Sequence, residues 1–304
     1  MLKFLVFWFI FRVLGWLPLA ALYRVGDVGA AIGFRLARSS REAVLDNLRH
    51  VTPDASEGEL RQTARAVFRN VAYYYADLAH LPHMDVQRFF DERLTVHGVD
   101  ERMRPALVSG RGAVMLSAHF GNPELVTQAL AILKIPVFAV TERVEPPALS
   151  AMLTSIRSSK GLEFRPVGVS SAKRIMQMLR SCGTVALMGD RDIEGPRMKL
   201  PFFGVDTWMP TGPVEVGLRT GAAIFPSFCV RREKFKIDAY LEEEIIIERT
   251  DDLQADVRTA MLKYIERLEW WLRKEPDQWA VFERIWDGAA NETAVPVDAR
   301  QVTA

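Results

Sequence analysis

Residues 112–124 read GAVMLSAHFGNPE: an apolar run, a histidine, a glycine turn, then a helix start that carries a carboxylate. Ala113 to Ala118 is too short and too uniformly apolar for a surface helix, and the bounding glycines favour a buried strand. His119 then sits at the C-terminal end of that strand. Gly121 allows a sharp reversal, and Asn122 and Pro123 suit the N-cap and first position of a helix running on through Leu125, Ala129 and Leu133. Glu124 falls in the first turn, where the positive end of the helix dipole favours its ionised form, and a turn of this length can fold it back onto His119. A carboxylate on one ring nitrogen sets the tautomer and leaves the other nitrogen to take a proton from an alcohol attacking an acyl group.

Spacing alone does not select this pair. The chain has 5 histidines and 38 acidic residues among 304, so about one position in eight is acidic, and His80 and Asp85 stand at the same interval. His80, however, lies at the polar end of a helical stretch beside Pro82, with no buried strand before it and no glycine turn after it, and reads as structural.

Outward from this stretch the chain changes character twice. With 49% hydrophobic and 25% charged residues it can bury a full core in one large domain. A net charge of +1 argues against nucleic acid as a partner. Cys182 and Cys229, far apart, form neither a disulfide framework nor a zinc cluster, so no metal is expected and both read as buried thiols. From Leu94 onward, short apolar strands alternate with helices. The strands are expected at Ala113 to Ala118, Val137 to Thr141, Glu163 to Val167, Val185 to Gly189 and Ala222 to Val230. The helices fall at Pro123 to Leu133, Pro146 to Lys160, Ser170 to Ser181 and Gly212 to Thr220. This alternation predicts an α/β fold, with a mixed, mostly parallel sheet flanked by helices. Lys234 to Ile247 adds two strand-like runs, and Asp251 to Lys274 an amphipathic helix.

Before this domain, Leu2 to Tyr23 is nearly all apolar and aromatic, interrupted by Arg12, Gly15 and Pro18. A spanning helix and a signal peptide both compete for it. Arg12 flanked by Trp8 and Trp16 favours a helix lying in the membrane interface, with Arg24, Arg35, Arg38 and Arg41 placing the bulk of the chain on the cytoplasmic side. Ser39 to Leu81 reads as helical with a break at Thr52 to Glu59. Arg49, Arg61, Arg65 and Arg69 make a solvated face more readily than a lipid-phosphate surface. The expected organisation is a membrane anchor or interfacial helix at 1–35, a helical region at 36–93, an α/β domain at 94–288 and a disordered tail at 289–304.

A second polar constellation follows another strand. Residues 185–204 read VALMGDRDIEGPRMKLPFFG, so Asp190, Arg191 and Asp192 come directly after a buried strand, and Glu142 and Arg143 likewise follow Thr141. Ligands of open α/β sheets gather beyond the C-terminal ends of strands, which places these groups and His119 on one edge. Arginines there suit a phosphate, including that of pantetheine. A self-satisfied Asp/Arg pair pinning a loop is the structural alternative.

The motifs AHFGNPE, GDRDIEGPRMKLPFFG, TGPVEVGLRTGAAIFP and PDQWAVFER, in this order behind an apolar N-terminus, resemble the bacterial lipid A late acyltransferases and their phosphatidylinositol mannoside relatives, within the wider lysophospholipid acyltransferase group. The resemblance spans about Leu2 to Trp286. It implies a membrane-bound enzyme moving a fatty acyl group from an acyl thioester, on coenzyme A or acyl-carrier protein, to a hydroxyl of a glycolipid or lysophospholipid, with no cofactor beyond that co-substrate. It also implies that His119 and Glu124 are the catalytic His-x4-Glu pair, and that Arg143, Arg191 and Asp192 bind substrate. Lipid A enzymes commonly carry tryptophan, histidine and arginine after the Gln-Trp pair; this chain has Phe282, Glu283 and Arg284, which keeps other glycolipid acceptors open. Backbone amides of Phe120 to Asn122, or Arg191, are the expected oxyanion donors. A serine hydrolase lacks its GxSxG elbow here, and the non-enzymatic alternative is a lipid-binding scaffold on the same fold.

Overall fold

A computed structural model describes residues 2–191 and 195–286. Asp192 and the expected tail at 289–304 lie outside the described residues. Four helices come first: α1 (Leu2–Arg12), α2 (Leu19–Leu36), α3 (Arg38–Val51) and α4 (Glu57–His80); then α5 (Val86–Arg93), β1 (Leu94–His97) and α6 (Arg104–Val108) lead into the alternating region. That region runs β2 (Ala113–Ser117), α7 (Pro123–Ile132), β3 (Val137–Thr141), α8 (Pro147–Arg157), β4 (Glu163–Pro166), α9 (Val169–Arg180) and β5 (Thr184–Met188). A hairpin of β6 (Arg197–Phe202) and β7 (Val205–Pro210) follows, then α10 (Gly212–Thr220), β8 (Ala223–Glu233), β9 (Lys236–Leu241) and α11 (Leu253–Lys274).

Seven strands form one sheet in the order β1-β9-β8-β2-β5-β3-β4, parallel at every pairing except the antiparallel β8/β9. This is the expected mixed, mostly parallel sheet. Because successive side chains of a strand point to opposite faces, β2 feeds two cores at once. Val114 and Leu116 pack with Val185, Leu187 and the Met261, Tyr264 and Leu268 face of α11, while Ala113 and Met115 pack with Leu130 of α7 and Met103. On that second side Leu125 and Ala129 of α7 also meet Leu149, Leu153 and Ile156 of α8 and Leu78 of α4. The N-terminal helices thereby join the domain, with Phe11 of α1 in the same cluster.

Several expectations about strands need correction. Lys234 to Ile247 holds one strand rather than two, since Glu242, Glu243 and Glu244 end the apolar alternation after β9. Edge strand β1 and the β6/β7 hairpin were not expected; the first is only four residues long, and the second carries Pro201 within a strand. Among the described residues no helix is long and apolar enough to cross a membrane. The apolar N-terminus is divided by a 3₁₀ turn at Leu14–Trp16 and by Pro18, which precedes α2.

Candidate active site

β2 and β5 are neighbours in register, with Ser117 opposite Met188, and the Gly189 amide donates to the Ser117 carbonyl at 2.8 Å. Two residues further along each chain, His119 and Asp190 therefore meet. Gly189 has to be glycine for this crossing to stay close, because a Cβ there would lie 2.6 Å from Leu116 Cδ1 and 3.0 Å from the Tyr264 ring of α11. The Tyr264 hydroxyl in turn donates to the Ser117 carbonyl at 2.8 Å, pinning the end of β2.

Asp190 is fully buried and takes three bonds from the described residues: His119 Nδ1 at 2.9 Å on one carboxylate oxygen, and the His119 amide at 3.0 Å and Trp279 Nε1 at 2.9 Å on the other. Burial pushes this carboxyl up, but the charge His119 carries when protonated and the bonds from His119 and Trp279 outweigh it and hold it below the usual carboxylate range. An ionised Asp190 can only accept, so Nδ1 of His119 carries a proton, and in the neutral imidazole the lone pair is then on Nε2. The imidazole is a quarter exposed, so the ring is reachable from solvent.

The turn after His119 is clamped on every side. Gly121 adopts φ +66°, and a Cβ there would lie 2.1 Å from the Cys229 carbonyl oxygen. The Phe120 amide donates to Ala118, the Gly121 amide to the Gln278 carbonyl and the Asn122 amide to the Cys229 sulfur. None of the three amides is left for an oxyanion, which removes one of the two expected donors and leaves Arg191. The Asn122 side chain caps α7 by accepting from the Leu125 amide at 3.2 Å. Its Nδ2 donates at 2.8 Å to buried Asp77, which is also bonded by Tyr23 and Arg231. The segment at Gln278 and Trp279 closes over the turn, with Phe120 bridged to Trp279 and the Ala280 amide on the His119 carbonyl.

Glu124 does not fold back onto the imidazole. Its described partners are the Tyr74 hydroxyl and Arg157, whose Nε and Nη2 lie 3.0 and 2.9 Å from one carboxylate oxygen. Starting the helix at Pro123 turns Glu124 toward α4 and α8, where a guanidinium as buried as itself outcompetes a neutral imidazole. Burial pushes the Arg157 guanidinium down, but Tyr74 and Glu124 outweigh it and raise it, so it stays charged. Tyr75 lies between the two clusters: burial raises its phenol, and Arg157, Glu124, Glu142 and Arg191 all act on it.

Arg191 is brought to His119. Its Nε and Nη2 form a two-point bond with the Glu283 carboxylate at 2.6 and 2.9 Å, while Nη1 stands 3.5 Å from His119 Nε2 and 3.4 Å from Glu142. Arg143 is not brought there: it is exposed and donates to the Val167 carbonyl at 3.2 Å, further along the rim. Asp192 is outside the described residues. Among the groups not foreseen as site residues, Asp190 had a legible signal, an acid directly after a strand adjacent to the histidine's strand. Trp279 and Glu283 lie in the PDQWAVFER motif, but nothing local assigns them to the site, and Tyr74 and Arg157 carry no signal, because each arrives from a distant part of the chain.

The profile of the bacterial lipid A biosynthesis acyltransferase family matches residues 1–287. A phosphatidylinositol mannoside acyltransferase of Mycolicibacterium smegmatis is 30% identical over 71% of this chain and 77% of its own length. Phosphatidylinositol mannoside acyltransferases from two strains of Mycobacterium tuberculosis are each 30% identical over 51% of this chain and 50% of their own.

Proposed function

We propose the reaction from one premise: the chain belongs to the bacterial lipid A biosynthesis acyltransferase family and is an acyltransferase of lipid biosynthesis. It transfers a fatty acyl group from an acyl thioester, on coenzyme A or acyl-carrier protein, to a hydroxyl of a glycolipid or lysophospholipid acceptor such as a lipid A precursor or a phosphatidylinositol mannoside. Nε2 of His119 takes the proton of the acceptor hydroxyl as its oxygen attacks the thioester carbonyl. The tetrahedral intermediate collapses with cleavage of the C–S bond, and the leaving thiolate receives that proton from the imidazolium. Arg191 faces the developing oxyanion. Glu124 holds Arg157 and Tyr74 in the wall of the site. No cofactor beyond the co-substrate is needed, because the thioester supplies both the acyl group and the leaving group.

The observation that carries this reading is the His119–Asp190 pair, with Nδ1 engaged at 2.9 Å and Nε2 turned to a guanidinium. A lone structural histidine has no need of an ionised, fully buried partner and an arginine on its other nitrogen. Purified protein with a radiolabelled acyl thioester and a bacterial lipid extract yields a labelled lipid, and His119→Ala abolishes it while the protein stays folded. Retention of the rate by His119→Ala rejects the assignment. Lipid mass spectrometry of a deletion strain names the acceptor, as the glycolipid that loses one acyl chain.

Membrane association at the cytoplasmic face of the inner membrane belongs to the same proposal. Val25, Val28, Ile32 and Leu36 form a stripe at helical spacing on the outside of α2, the last two 50% and 77% exposed, although the opposite face of α2 is already buried. Leu5, Trp8 and Phe9 on α1 and Trp16 in the connecting turn extend this apolar surface, with Arg12, Arg24, Arg35 and Arg38 exposed beside it. Apolar surface with aromatic and basic edges suits a bilayer interface, and the 11 residues of α1 suit a helix lying on it rather than through it.

A further inference from the structure

We propose that Glu283 is a positioning residue: by gripping one edge of Arg191 it aims the remaining nitrogen, Nη1, at the oxyanion that forms beside His119. The inference rests on the acyl-transfer reading above and adds a residue to it. A guanidinium is a rigid planar fork, so fixing Nε and Nη2 on one carboxylate at 2.6 and 2.9 Å leaves its plane little freedom to turn. Nη1 is then the end outside that grip. Its two contacts among the described residues, 3.4 Å to Glu142 and 3.5 Å to His119 Nε2, are both longer than a well-made N–H···O bond of about 2.7–3.2 Å. The donor is thus held in place and under-used, as a group reserved for a charge that appears only during reaction would be.

Its location fits that charge. The attacking oxygen must lie within reach of Nε2, and the carbonyl oxygen of the same tetrahedral centre within about 3 Å of its donor. A donor 3.5 Å from the base nitrogen meets both conditions, and the turn amides that could have served instead are already bonded. Glu283 is half exposed, arrives on the C-terminal segment and makes its described side-chain bonds to Arg191, so its loss leaves the core intact. Burial disfavours the Arg191 charge, but Glu283 and then Glu142 and Asp190 outweigh this and keep the cation secure.

The test is steady-state kinetics on the full chain with palmitoyl-CoA as donor and lipid extract of the deletion strain as acceptor, on Glu283→Gln, Glu283→Asp, Arg191→Gln and the Glu283→Gln/Arg191→Gln double variant. Arg191→Gln loses about 10²–10³ in kcat, the usual cost of one oxyanion donor, and Glu283→Gln at least about tenfold, each with KM within about threefold. Glu283→Asp, which keeps the charge, recovers part of the loss. In the Arg191→Gln background the Glu283→Gln change has no further effect beyond about twofold, since its target is gone. Melting temperatures matching the parent exclude a folding defect, and Glu283→Asp carries the same comparison where Glu283→Gln does not fold. A Glu283→Gln kcat within threefold of the parent, a loss confined to KM, or an undiminished loss in the Arg191→Gln background overturns the proposal. His119→Ala activity equal to the parent would instead overturn the acyl-transfer reading beneath it.

Discussion

Replacing Asp190 by Asn changes almost nothing in shape and reverses the chemistry of the base. The carboxylate oxygen that bonds the His119 amide and Trp279 Nε1 faces two donors at 3.0 and 2.9 Å, so in the variant the amide oxygen must occupy that position. Its NH₂ then points at His119 Nδ1, which now has to accept rather than donate. The ring proton moves to Nε2, and the nitrogen that should take the substrate proton no longer has a lone pair. A wrong tautomer in an otherwise intact site lowers kcat by about 10³–10⁴, or about 4–5.5 kcal/mol of barrier. Packing is conserved, and the loss of fold stability is limited to charge-assisted bonds, about 1.5–3 kcal/mol. Because the folded Asp190 carboxyl lies below its ordinary value of 3.8, its ionised form stabilises the protein above that pH, and the contribution is lost as pH falls through the lower, folded value. The variant therefore unfolds with a flatter dependence on pH in the acid range. The assay is single-turnover acyl transfer with calorimetry at pH 7 and in the acid range. A variant within tenfold of the parent rate would show that Asp190 does not set the tautomer, and the argument from the His119–Asp190 pair would fail.

Four further outcomes follow from separate contacts. Glu124→Ala leaves the largely buried Arg157 short of its carboxylate and costs about 3–5 kcal/mol in denaturant unfolding; unchanged stability with a kcat loss as deep as that of Asp190→Asn would restore Glu124 as the partner of the imidazole. Gly121→Ala forces a side chain into φ +66° and onto the Cys229 carbonyl, losing about 3 kcal/mol or more, and an unaltered melting temperature would contradict that geometry. Burial pushes the Cys229 thiol up to about 12, so under native conditions near pH 8 it resists thiol reagents, while half-exposed Cys182 is the one to label; mass spectrometry finding Cys229 labelled at the same rate disproves the packing around it. Trp8→Asp with Trp16→Asp removes exposed aromatic surface and lowers partition onto anionic phospholipid vesicles by about tenfold or more, measured by co-sedimentation, whereas undiminished binding would move the contact elsewhere.

Elements with a strong local pattern are legible in the sequence. β3 and α10 stand where the sequence puts them, as do β2, β5 and α7 to within a residue or so, because burial on both faces of a parallel strand and capping by Asn122 and Pro123 leave their mark on consecutive residues. The break between α3 and α4 is marked by the acid-rich stretch Thr52 to Glu59, although α4 already starts at Glu57, where Ser56 and Glu59 form a reciprocal cap. The strand-end position of His119 followed from the same kind of pattern.

What the pattern could not contain was the choice of partner. Glu124 and Asp190 were both acids at the correct sheet edge, five and 71 residues from the histidine, and local spacing favours the nearer one. Strand register decided for Asp190, by setting β5 beside β2, while a guanidinium from α8 drew Glu124 away. Trp279 and Glu283 reach the site only because the C-terminal segment closes over the turn. Periodicity is a property of neighbours along the chain and survives in the one-dimensional record. Hydrogen-bond partnership at a site is a competition among groups that folding brings together, and its outcome depends on burial and register that no single segment carries.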